Sequence, residues 1–153
     1  MKTLAFFFVM VVPTLGRLGE SRPQCDARYG VGIISEDRTM CFYKKAGFEL
    51  AFVYRAGKAV ILLVTHSARD ILNNPPPLSE TEIETLLTAN TGGSTWKKDG
   101  FGGIMNKSWI TEDGLTMAMY DPFKNTLSIM TTEEFQRKVQ DGKSEEKKSL
   151  EGF

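Results

Sequence analysis

The sequence predicts an α+β fold: an antiparallel sheet of about six strands, arranged as two three-stranded meanders, with two helices packed on one face. Three observations lead there. Phe48, Leu50, Phe52 and Tyr54 alternate with Glu49, Ala51 and Val53, which is the period of a half-buried strand. Ala46-Gly47, Ala56-Gly57 and Asp113-Gly114 sit between short apolar runs, where hairpin turns demand positive φ. Ser79 with Glu82, and Thr131 with Glu134, have the spacing of capping boxes at helix starts.

In chain order, residues 1–21 read first as a signal peptide, with Lys2 as a positive n-region and Leu4 to Val12 as an apolar h-region ended by Pro13. The run is short of the ~20 residues a bilayer span needs, so an anchor is the weaker reading and no stable membrane span is expected after processing. Small residues at Thr14-Leu15-Gly16 and at Gly19-Glu20-Ser21 place cleavage near Gly16 or Ser21. Arg22-Pro23-Gln24 before Cys25 is unlike a lipobox, which argues against lipidation. The expected destination is therefore outside the cytoplasm, secreted or periplasmic. Residues 22–140 then form a single domain, and 141–153 a charged, frayed tail.

Lys plus Arg number 19 and Asp plus Glu number 19, so no net charge steers the chain to nucleic acid or an anionic surface. In an oxidising compartment Cys25 and Cys41 are candidates for a disulfide closing a short loop, which contributes roughly 3 kcal/mol on the chain-entropy account. Two unpaired thiols are the rival reading.

Met40 to Thr65 reads as the first meander. Its last strand, Ala59 to Val64, is apolar on both faces, so its second face is expected to be covered. Asn73-Asn74-Pro75-Pro76-Pro77 is a spacer in polyproline II geometry. The helix begun at Ser79 carries Ile83, Leu86 and Leu87 as its apolar stripe and ends at Gly92-Gly93. Gly92 to Ser108 reads as irregular. Trp109 to Met130 reads as the second meander, and Phe135 with Val139 marks a short last helix ending before Gly142. A shift of 67 residues lays Phe42 on Trp109, Gly47 on Gly114, Ala51 on Ala118 and Leu62 on Ile129, so both halves read as three strands followed by a helix.

The run Leu78-Ser79-Glu80 through Leu86-Leu87, with Gly93, Trp96, Trp109, Asp113-Gly114, Ala118, Tyr120 and Leu127 to Met130, resembles the pattern of small exported bacterial proteins of uncharacterised function. In layout the second half is similar to β-lactamase-inhibitor-protein-like domains and to small outer-membrane assembly lipoproteins. Both are binding proteins, so the resemblance implies binding rather than catalysis. It transfers no site residue, because no inhibitory loop aligns and Cys25 lacks a lipobox.

Chemistry-bearing residues are sparse. His66 is the only histidine, so a hydrolase would have to use it with Cys41, Ser67 or Asp70, and the alternative is a hydrogen-bonded histidine at the sheet rim. One histidine and two separated cysteines lack zinc spacings, so neither metal nor cofactor is expected. Adjacent carboxylates such as Glu112-Asp113 suit turns and helix starts better than acid/base pairs. The glycines of residues 97–103 do not follow phosphate-loop spacing. Trp96, Phe101 and Trp109 are the candidate binding residues, since aromatic anchors dominate interfaces, with core packing as their alternative role. The expected function is a non-enzymatic extracytoplasmic interaction module, whose partner is another protein or an envelope component.

Overall fold

A computed structural model of the chain describes residues 18–100 and 106–150, the side chains of 146–150 excepted. The elements are α1 (Arg22–Tyr29), β1 (Ile33–Ile34), β2 (Met40–Lys45), β3 (Phe48–Arg55), β4 (Lys58–His66), α2 (Glu80–Ala89), β5 (Trp96–Asp99), β6 (Lys107–Thr111), β7 (Thr116–Asp121), β8 (Thr126–Thr131) and α3 (Thr132–Leu150). The fold class is α+β with an antiparallel sheet, as the alternation indicates. The sheet has eight strands instead of about six, in the order β1-β2-β3-β4-β8-β7-β6-β5. Both extra strands, β1 and β5, are short edge strands outside the two expected meanders.

Three helices are present instead of two, and they do not share one face. Cys25 of α1 and Ile83, Leu86 and Leu87 of α2 enter one core cluster with Cys41, Phe52, Leu62, Ile129, Ala118 and Trp109. Those last six residues form one row of paired positions across six strands, which defines the covered face of the sheet. α3 instead packs on β7 and β8 outside that cluster. It runs to Leu150 rather than ending before Gly142, so much of the expected tail is helical.

Local chemistry accounts for each helix start. Ser79 Oγ accepts the Glu82 N–H at 3.3 Å while the Glu82 carboxylate accepts the Ser79 N–H at 2.8 Å, the full capping box. In α1, Gln24 Oε1 accepts the Ser21 N–H at 2.8 Å, proline stands in the first turn, and Gly30 follows the helix at φ 89°. At α3 only half the box forms. Thr131 Oγ1 accepts the Glu134 N–H at 3.2 Å, but the Glu134 carboxylate accepts from Arg55 Nε at 3.0 Å and Arg137 Nη2 at 2.5 Å.

The disulfide expected between Cys25 and Cys41 is not formed; both cysteines are free and buried. Other contacts hold the segment that it was to tie down. Tyr43 Oη donates to Asp26 at 2.8 Å, Arg28 donates to Glu20 at 2.6 Å, and Gly19 and Glu20 exchange backbone bonds with Ala59 at 2.8 and 2.9 Å. Each thiol is a packed core group, and burial pushes the Cys25 thiol up from its ordinary value. The signal peptide assigned to residues 1–21 falls for the most part on residues 1–17, which lie outside the described residues.

Candidate functional site

Sheet register decides which side chains face away from the helices. Ile33, Phe42, Ala51, Leu63, Ser128, Met119, Ser108 and Asp99 form a second row of paired positions crossing all eight strands. They alternate with the core row along each strand, so they lie on the opposite face. A neighbouring row on that face, Met40, Val53, Ile61, Met130, Met117 and Ile110, is buried at Ile61, Met130 and Met117, on and beside the strands that α3 packs against. The second face of β4 is thus covered only in part: Ile61 is enclosed, whereas Leu63 is half-buried.

Where cover ends, a groove of about 700 Å³ opens, lined among others by Val31, Ile33, Phe42, Ala51 and Leu63. Val31 is 92% exposed, Ile33 74% and Phe42 42%, a concentration of wet apolar surface on neighbouring positions. Lys44, Glu49, Thr65 and Thr126 line the same groove. Lys44 Nζ meets Glu49 at 3.0 Å, and Arg69 pairs with the same carboxylate. The Lys44 hydrogen bond and the Arg69 charge hold Glu49 below the usual carboxylate range. A size of several hundred Å³, an apolar lining and a few convergent polar groups suit a binding site.

Those of the residues singled out from sequence that are described lie elsewhere. Trp109 is 7% exposed in the core row, paired with Ala118. Trp96 is half-buried, and its indole N–H donates to Leu87 O at 2.6 Å near the end of α2. Phe101 lies outside the described residues. His66 stacks on Phe48, with ring centroids 5.0 Å apart, and its Nε2 lies 3.4 Å from Glu82. Ser67 Oγ donates to Gly47 O at 2.9 Å. Cys41 pairs with Phe52 and His66 with Phe48, four residues apart on β3, so the thiol and imidazole are separated by roughly 13 Å along the strands. The structure therefore does not assemble His66 with Cys41 as a nucleophile and base.

Val31-Gly32-Ile33-Ile34 is the groove-edge segment that sequence reasoning missed. Its signal was present: four small or apolar residues in a row between Gly30 and Ser35, with no charge to guard them. A second exposed apolar set, Ile71, Leu72 and Phe123, stands on the loop after β4 and on the β7–β8 turn. Asp70 orders that loop by accepting the Leu72 and Asn74 N–H groups, each at 2.8 Å. Among the described residues no group of histidine, cysteine and carboxylate side chains is disposed to hold a metal, and no helix is long and apolar enough to cross a membrane. Comparison with protein-family models, with curated proteins and with solved structures gives no match.

Proposed function

We propose that this chain is a non-enzymatic extracytoplasmic binding module whose ligand lies in the groove on the open face of the sheet. One observation carries the reading: Val31, Ile33 and Phe42 present exposed apolar surface along a groove of about 700 Å³, on the part of that face beyond the strands α3 packs against. Such surface has a standing cost in water, and burying a ligand against it recovers on the order of 25 cal/mol per Å². The apolar run of residues 4–12 supports an extracytoplasmic location. Leu18 packs against the core, and Gly19 and Glu20 pair with Ala59, which favours processing at Gly16 over Ser21. The layout resemblance of the second half to β-lactamase-inhibitor-protein-like domains supports binding over catalysis.

The test is titration of the mature protein with 1-anilinonaphthalene-8-sulfonate, an amphiphilic anionic probe that fluoresces in apolar surroundings, at a temperature where the protein is fully folded. The Phe42→Ser variant is expected to bind the probe roughly tenfold more weakly, with a melting temperature within a few degrees of the parent, because the ring is partly exposed. Ile71→Ser, altered on the exposed loop, is expected to bind as the parent does. The reverse pattern would move the site to the loop and sink the groove reading.

A further inference from the structure

We infer a second site on this chain, independent of the groove: a cavity beside α1 that binds an oxyanion of the phosphate type. The cavity, of about 340 Å³, lies where the start of α1, the β1–β2 connection and the end of β3 meet. Among the described residues it shares no lining side chain with the groove. Arg22, Arg38 and Tyr54 line it, and no carboxylate among the described residues does.

Two of those polar groups are buried without a hydrogen-bond partner. Arg22 Nε has the Asp26 carboxylate at 3.7 Å, beyond hydrogen-bond reach. Tyr54 Oη lies among the Cys25 thiol and the Tyr43 hydroxyl without meeting either in hydrogen-bond geometry. Buried donors left unpaired are destabilising, and acceptors supplied by a ligand remove that cost.

Arg38 adds charge that the protein does not neutralise. Its side chain is exposed and forms no ion pair among the described residues. Asp37 beside it is taken up by its own turn, accepting Ser35 Oγ at 2.6 Å and Thr39 Oγ1 at 2.8 Å. Asp26 accepts Tyr43 Oη at 2.8 Å, and Glu20 accepts Arg28 at 2.6 Å. The nearby carboxylates are thus engaged elsewhere, and a concavity lined by two guanidinium groups collects anions.

The donors also select the class of anion. They come from three separate elements, whereas a carboxylate offers two oxygens in one plane. A tetrahedral oxyanion has acceptors in all three directions, and guanidinium groups match its oxygens in pairs. Pro23, Ile34 and Met40 add apolar wall, which suits a substituent on the oxyanion. A water molecule would pair with Arg22 and Tyr54 as well, yet it would leave both charges uncompensated.

The probe is inorganic phosphate, titrated into the mature protein at constant ionic strength and followed by amide chemical shifts. Shifts are expected to concentrate at residues 21–23, 38–41 and 54–57. Arg38→Gln, a change at an exposed position that does not endanger folding, should weaken binding roughly tenfold. Tyr54→Phe should weaken it several-fold and leave the phosphate-free melting temperature unchanged or higher, because the hydroxyl that it removes has no partner. Lys98→Gln, on the far edge strand, should bind as the parent does. Shifts spread over the exposed lysines, or affinities untouched by Arg38→Gln and Tyr54→Phe, would overturn the site. Acetate binding as tightly as phosphate would overturn its class. Phenyl phosphate, used as a second probe, separates two sources: tighter binding than phosphate assigns the site to an organic phosphate, equal binding assigns it to the free ion, and either result upholds it.

Discussion

Gly32 concentrates the residue-scale argument. It needs no positive φ; what it needs is the missing side chain, because the segment lies directly on Cys41 and Tyr43. Both neighbours are buried and cannot swing aside. Gly32→Ala is therefore expected to lift the β1 segment off β2 at a cost of about 1–3 kcal/mol, read as a lower melting temperature in thermal unfolding. An unchanged melting temperature would show that the close seating is not needed for stability. The turn glycines were readable in advance, since Ala46-Gly47 and Ala56-Gly57 all have positive φ in two-residue turns. Gly32 was not, because close approach is a property of the neighbour across the gap. The two thiols were misread for a related reason: one sequence cannot show that Cys25 and Cys41 each fill a packing position.

Among the elements, α2 was legible because its start is written in local chemistry, from Leu78 through Ser79 to Glu82. α1 carried a comparable signal in Ser21, Pro23, Gln24 and Gly30, but Cys25 is its one buried residue, so no apolar stripe announced it. α3 depends on a long-range contact. Glu134, with its side chain 3% exposed, receives Arg137 and Arg55, which hold its carboxyl at about 2. A folded value below the unfolded one means stability that is fully present above the ordinary glutamate range and lost as pH falls through it toward 2. Glu134→Gln is expected to cost on the order of 2 kcal/mol at pH 7, and the gap to the parent should close between about pH 4.5 and 2. Thermal melts over that pH series check it; a gap that persists at pH 2 would assign the loss to packing instead of charge. Arg55 lies far from Glu134 in sequence, so no local pattern could have shown the pair.

At the scale of the whole molecule, the sheet is two four-stranded halves joined where Leu62 pairs with Ile129, the same two residues that the 67-residue shift superposes. Turns also fall on turns. Farther out the ungapped shift fails, for Phe42 lies on the open face and Trp109 in the core row. The register shift between Val53 and Tyr54 is the cause: it offsets one half by a residue, and a one-residue offset exchanges the faces of a strand. By position in the core row, Cys41 then answers to Trp109 and Phe52 to Ala118, so each half keeps one aromatic but on a different strand. The fold class and turn positions were therefore legible, whereas the residues that line the open face were not, because a bulge leaves no mark in composition or period. It is the topology that brings the exposed β1 edge beside the part of the face beyond the α3-packed strands.

Amide chemical-shift mapping of the mature protein with the anilinonaphthalene probe tests that placement most directly. Shifts are expected to cluster at residues 31–34, 42–44, 49–51 and 63–65, the groove and its edge. Shifts centred instead on Trp96 and Trp109, or on the loop at residues 70–74, with those four segments unmoved, would contradict the placement of the binding site on the open sheet face.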